Sequence, residues 1–234
     1  LRDIPNLFAF NQICVLSNGL ETRLGAFNAT YNHFFEWLKV DSEKERPDRQ
    51  ALKEAGTVGE SSVRYFIDGL LQKGRLIDYI ENFIMFRNQK NKIIAKNHQY
   101  FGVNNLMESV KNRAELQGKL GVFWHTQGSG KSFSMVFFAR KVRRKISGNF
   151  TFLIITDRED LDDQIHKNFV KTEVIGQKEE CQPKNGKQLR DYLQTNKSFI
   201  FTLIHKFRYD EGKKYPVLST RDDIIVLVDE AHRT

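Results

Sequence analysis

The residues of this 234-residue chain that could do chemistry are concentrated in two short runs. The first is His125-Thr126-Gln127-Gly128-Ser129-Gly130-Lys131-Ser132, set between an apolar stretch and an amphipathic one. Gly128 and Gly130 let the backbone curl until its N–H groups, that of Ser129 included, point inward at phosphate oxygens. A helix opening behind them adds a favourable dipole. Lys131 can then reach the outer phosphates of a triphosphate, and the Ser132 hydroxyl is a ligand for Mg²⁺. The run satisfies G-x-G-K-[ST], but the longer pattern G-x-x-x-x-G-K-[ST] has glycine where this chain has His125. A side chain at that position packs against a neighbouring loop.

The second run is Asp229-Glu230-Ala231-His232, which follows the apolar Ile224–Val228. Open α/β sheets place their ligands at the carboxyl ends of strands. An Asp emerging there can hold Mg²⁺ through water, and the adjacent Glu is placed to activate an attacking water. Lys131, Asp229 and Glu230 are therefore the candidate catalytic groups, with Ser132 and Asp229 on the metal and ATP with Mg²⁺ as cofactors.

Such residues need elements to hold them. From His98 onward helical and extended patterns alternate: a helix near His98–Gln117, the strand LGVFWH at 120–125, and a helix near Lys131–Ile146. The strand FTFLIIT, a helix near Leu161–Phe169, a helix near Gln188–Leu193, and the strands SFIFTLI and DIIVLVD follow. Continuously apolar strands separated by helices predict a parallel sheet covered on both faces. Upstream, QICVLS and LETRLGAF flank Asn18-Gly19, the pattern of a hairpin with a two-residue turn. Two strands alone are marginal in water, so their sheet should continue upstream of Leu1. Residues 41–61 read as a polar linker, followed by an amphipathic helix from Ser62 and a second from about Leu76 to Phe86.

Lys and Arg outnumber Asp and Glu by 37 to 29, giving a net charge of +8 that suits a polyanionic partner. Cys14 and Cys181 are far apart and in no CxxC pair, so neither a disulfide framework nor a zinc site is indicated and a cytoplasmic setting fits. No run approaches the roughly 18 apolar residues needed to span a bilayer. His98, His166 and His205 lack partners at metal-ligand spacing and read as surface or packing residues. Tyr31, Phe34, Phe35 and Trp37 could stack bases, but core packing is the better reading of so dense an aromatic group. Lys141, Arg143, Arg144 and Lys145 are explained by the dipole of the helix they end.

LGVFWHTQGSGKS, TDREDLDDQ, FTLIHKF and VLVDEAHRT, in that order, resemble the superfamily 2 motor in the restriction (R) subunit of type I restriction–modification enzymes. The resemblance covers most of the chain, and LFAFNQICVLSNGLETRLG is similar to the last strands of that subunit's nuclease domain. It implies an α/β fold: a RecA-like P-loop domain with a parallel sheet and flanking helices, preceded by a β-hairpin remnant of an N-terminal nuclease domain. The implied division is 1–40 nuclease end, 41–61 linker, 62–95 helical connector and 96–234 motor domain, truncated after Asp229–His232. Missing Met at the start and the stop at Thr234 fit an excerpt of a longer protein.

By the same resemblance, ATP hydrolysis would pull duplex DNA past a complex that includes modification and specificity subunits. Asp157, Arg158 and Asp160 would lie in one DNA-facing segment, and Thr202 and Lys206 in another. Gln99 would read the adenine edge, an amide being able to donate and accept at once. His232 would couple the γ-phosphate site to the rest of the motor. Alternatives are another superfamily 2 helicase or remodeller, and a non-catalytic DNA-binding assembly fragment.

Overall fold

The computed structural model describes residues 10–54, 61–126, 128–208 and 216–230. By contact the chain forms two units, 1–138 and 139–234. The expected boundaries after residues 40, 61 and 95 all fall inside the first of them.

In the first unit β1 (Cys14–Ser17) and β2 (Thr22–Gly25) form the expected hairpin. Its register pairs Ser17 with Thr22, so the connection is the four residues Asn18–Glu21 and not a two-residue turn. Asn18 Oδ1 accounts for the extra length by accepting from the N–H groups of Leu20 at 3.0 Å and Glu21 at 2.7 Å. The third strand of this sheet, β3 (Phe35–Glu36), comes from downstream and pairs with β2.

The supposed linker opens with a built loop. The Glu45 carboxylate accepts from the backbone N–H groups of Val40, Asp41 and Ser42 at 2.7–2.8 Å, and Lys39 Nζ donates to the carbonyls of Glu43 and Glu45. Helix α1 (Arg49–Glu54) follows, then α2 (Ser62–Gly69) and α3 (Lys73–Asn82). The helix expected to run to Phe86 stops at Asn82. Residues 84–86 instead enter an antiparallel pair, β4 (Ile84–Arg87) and β5 (Asn91–Ile94). The turn between them puts Asn88 and Gln89 at φ of +53° and +58°, a conformation no helix tolerates. Helix α4 (Asn97–Lys111) closes this stretch.

Aromatic rings hold the first unit together. Trp37 meets Tyr79 and Tyr100 edge-on at 5.6 and 5.7 Å, and Phe83 lies 4.6 Å from Tyr100 and 5.7 Å from Phe137. Burying a ring of this size contributes roughly 1.5–3 kcal/mol. The polar ends are satisfied in the interior: Trp37 Nε1 donates to Lys39 O at 2.7 Å, and the Tyr79 hydroxyl donates to Ala95 O at 2.5 Å. Core packing thus holds for Trp37 and Phe34, whereas Tyr31 is 59% exposed.

Helix α5 (Lys131–Lys145) spans the division between the units. In the second unit β6 (Thr151–Thr156) is flanked in parallel by β7 (Phe199–Leu203) and β8 (Ile224–Val228), in the order β7-β6-β8. Every residue of β6 and β7 is buried, which is why both read as unbroken apolar runs. Helix α6 (Glu159–Lys171) lays Phe169 against Phe199 and Phe201. Helix α7 (Gly186–Gln194), started by Asn185 capping Gln188 N, packs Leu189, Tyr192 and Leu193 with Leu153, Ile155 and Ile200. Alternate residues of the strands face the two helices, so the sheet is covered on both sides as predicted. On β8, however, Val226 and Val228 remain 49% and 41% exposed.

The predicted strand at 120–125 is the main departure. Its alternation survives, with Phe123 and His125 half-buried and Val122 and Trp124 89% and 83% exposed. A strand also requires a hydrogen-bonded neighbour, and among the described residues none pairs with this segment.

Candidate nucleotide-binding site

The glycine-rich loop is assembled on helix α4. Gly128 and Gly130 adopt φ of +76° and +88°, which a residue with a Cβ rarely takes. A Cβ at Gly130 would also sit 3.0 Å from Nε2 of Gln99. The carbonyl of Gly130 accepts from the N–H groups of Phe133 and Ser134 at 3.0 and 3.1 Å, which starts α5. The same oxygen accepts from Gln99 Nε2 at 3.0 Å. One helix thereby fixes where the next begins.

Gln99 is consumed by this task. Its Oε1 accepts from Lys96 N at 2.9 Å, and its Nε2 donates to Gly130 O and to Ser134 Oγ at 3.4 Å. Only 5% of the residue is exposed. Both amide protons are spoken for, so reading an adenine edge would require the amide to release the loop.

The partners in four contacts were not singled out from the sequence. His98, read as surface or packing, places Nε2 3.1 Å from Ser129 O. Its ring centroid lies 4.8 Å from that of His125, which in turn meets Glu43 Oε1 at 3.1 Å. The expectation that position 125 packs on a loop is met by the loop that Glu45 closes. Gly102 of α4 accommodates the ring of Phe123 against the helix backbone. A histidine just before Gln99 and a glycine inside a helical pattern were the only sequence signals. Burial holds the imidazoles of His98 and His125 below the usual histidine range, and the Lys131 and Lys39 cations push His125 the same way.

Lys131 Nζ lies 3.4 Å from the carbonyl of His125, at the mouth of the same loop. Ser132 is half-buried in the first turn of α5. Ser129 Oγ is buried with no hydrogen-bond partner in the protein. The Ser129 N–H donates to Thr126 O at 3.2 Å, which closes the turn. An orphaned buried hydroxyl beside a lysine suits a phosphate oxygen, so these side chains fit a bound nucleotide.

Asp229 and Glu230 stand in the second unit, at the carboxyl end of β8. Asp229 N donates to Ile155 O at 2.9 Å, prolonging the ladder with β6 by one residue. Glu230 N then donates to Asp229 Oδ1 at 3.1 Å, and Glu230 adopts φ of +52°, outside the conformation of a strand. A carboxylate at this position fits a hydrated divalent cation. Ala231 and His232 lie outside the described residues. Thus Gln99, Ser129, Gly130 and Lys131 come together in one unit and Asp229 with Glu230 in the other.

The residues proposed for DNA are unequal. Arg158, at the N-terminus of α6, is exposed beside Asp160 at 3.6 Å. Lys206 Nζ is held by Pro183 O at 2.6 Å. Thr202 is fully buried in β7 and its hydroxyl has no partner, so it has no surface to offer a phosphate. Among the described residues no cluster of three potential metal ligands occurs, and no helix is long and apolar enough to cross a membrane.

A phosphate-type loop opens α5 in one unit, and in the other a parallel sheet between helices has an acidic pair at the end of β8. The chain belongs to the SWI2/SNF2 ATPase family, which matches residues 98–234. It is 36% identical to the type I restriction enzyme HindI endonuclease subunit of Haemophilus influenzae over 99% of this chain and 22% of that protein. It is 32% identical to the putative type I restriction enzyme MjaIXP endonuclease subunit of Methanocaldococcus jannaschii over 100% of this chain and 23% of that one. A Staphylococcus aureus subunit, SauCOLORF180P, is 24% identical over the same shares. The chain therefore spans under a quarter of the length of these relatives.

Proposed function

We propose that the chain is the motor portion of a type I restriction endonuclease subunit. In this reading residues 96–234 are a RecA-like domain that hydrolyses ATP with Mg²⁺ to move duplex DNA, and residues 1–40 end a nuclease domain. The observation that carries it is the loop at 128–132: two left-handed glycines, an orphaned Ser129 hydroxyl and Lys131 follow one another at the start of a helix. The endonuclease subunits among the relatives favour restriction over another remodeller of the same family.

Lys131, the N–H groups of Gly128 and Gly130 and the hydroxyl of Ser129 would bind the phosphates, with Ser132 and Asp229 holding the cation. A bound magnesium ion supplies charge neutralisation across the phosphates. Glu230 would take the proton of the attacking water at its carboxylate, and His232 would couple the site to the rest of the motor. Arg158 and Lys206 would meet DNA phosphates, a sequence-independent contact that the net charge of +8 favours. Modification and specificity subunits are the proposed protein partners, and the cytoplasm the proposed setting.

Titration of the chain with a fluorescent ATP analogue in Mg²⁺ tests the reading. Saturable binding is expected, and Lys131→Ala should abolish it. A Lys131→Ala variant that binds as well as the parent would end the proposal.

A further inference from the structure

The loop that Glu45 closes carries a second carboxylate, and it is aimed at the phosphate loop. Glu43 Oε1 lies 3.1 Å from His125 Nε2, with the two side chains only 28% and 13% exposed. The backbone that presents Glu43 is held from several directions. Lys39 Nζ and Arg46 Nη1 both donate to Glu43 O, and Arg75 Nη1 donates to Val40 O. A carboxylate on so fixed a loop loses less side-chain entropy on pairing than one on a free surface, where ion pairs contribute about 0–1 kcal/mol.

We propose that Glu43 is a positioning residue for the phosphate loop, acting through His125 on Lys131. The His125 ring is fixed by Glu43 on one side and by the rings of His98 and Phe123 on others, at 4.8 and 4.5 Å. Its main-chain carbonyl is the one on which Lys131 Nζ rests. His98 meanwhile holds Ser129 O, so both ends of the loop, residues 125 and 129, are tied to one stack of imidazoles. Where the usual pattern has glycine, this chain uses a side chain that a remote carboxylate can grip. His125 Nε2–H donates to that carboxylate whether the ring is neutral or protonated.

The inference rests on nucleotide binding at Lys131, and the test separates the two. Glu43→Gln, His125→Asn and the double variant of the 234-residue chain are titrated with the fluorescent ATP analogue in Mg²⁺. Each single substitution should weaken binding about three- to tenfold, and the double should bind no worse than His125→Asn alone, the non-additivity of residues in one network. In the nucleotide-free chain, proton NMR should find the His125 pKa lower in Glu43→Gln than in the parent, because a carboxylate favours imidazolium. Should Glu43→Gln unfold early, Glu43→Asp keeps the charge on a shorter stem and should fall between the two in both readouts. Unchanged affinity and unchanged His125 titration in Glu43→Gln, with Lys131→Ala still inactive in binding, would overturn the role of Glu43 alone. Fully additive effects would do the same. No saturable binding by the parent chain would remove the nucleotide reading and this inference with it.

Discussion

A Cβ built on Gly102 of α4 falls 2.2 Å from Cε2 of Phe123, so the segment leading into the phosphate loop lies directly on the backbone of that helix. Glycine inside a helix costs about 0.5–1 kcal/mol relative to alanine, and the close approach accounts for its presence. Gly102→Ala should gain that propensity and lose more to overpacking, typically about 1–3 kcal/mol. A net fall in melting temperature is expected, together with weaker nucleotide binding. A more stable Gly102→Ala variant would mean that Phe123 is free to move away.

Gln99 offers a cleaner discrimination. If its amide serves only Lys96, Gly130 and Ser134, Gln99→Ala should weaken ATP and GTP analogues by the same factor, since what is lost is the shape of the loop. A substitution that erases a preference for ATP while sparing GTP would restore the adenine-reading role.

Acid should destabilise the chain through its half-buried imidazoles. Burial is the largest cause depressing the pKa of His98, His125 and His166 in the fold, while unfolded histidine titrates near 6.5. Between the folded value and about 6.5 the unfolded chain binds more protons, so stability rises with pH across that window and is complete above it. Asp162, pushed up by burial, slopes the opposite way from its ordinary value near 3.8 upward. The comparison that isolates histidine is parent against His98→Gln in denaturant titrations at pH 5.5 and 7.5. The variant should lose part of the difference, and equal differences would refute the account.

The Thr202 hydroxyl is buried without a partner, and leaving such a group unpaired costs about 1–3 kcal/mol. Valine has nearly the same shape and suits a strand. Thr202→Val should therefore raise the melting temperature and leave affinity for duplex DNA unchanged. Weakened DNA binding in this variant would indicate that the hydroxyl reaches a surface after all.

What the sequence disclosed well were features written into consecutive residues. The run at 125–132, the buried strands β6 and β7, and the acidic pair after Val228 carry their own signatures, because a parallel strand buried on both faces must be apolar throughout. What it hid depends on partners distant along the chain. The β4–β5 hairpin was read as helix because Ile84-Met85-Phe86 continues an apolar pattern, and only the left-handed Asn88-Gln89 turn ends it. Glu45 looked like one charge among many in a linker, since capping three backbone N–H groups leaves no trace in spacing. Thr202 shared a motif with Lys206, and burial separated them. The segment at 120–125 kept a strand's alternation without acquiring a strand's neighbour.

The carbonyl of Gly130 behaves as a hinge pin. Backbone amides of α5 and the side-chain amide of Gln99 from α4 all end on that single oxygen. Turning this one peptide cannot disturb one helix and spare the other, so any tug on the glycine is felt simultaneously by the element that carries Lys131 and the element that carries Gln99.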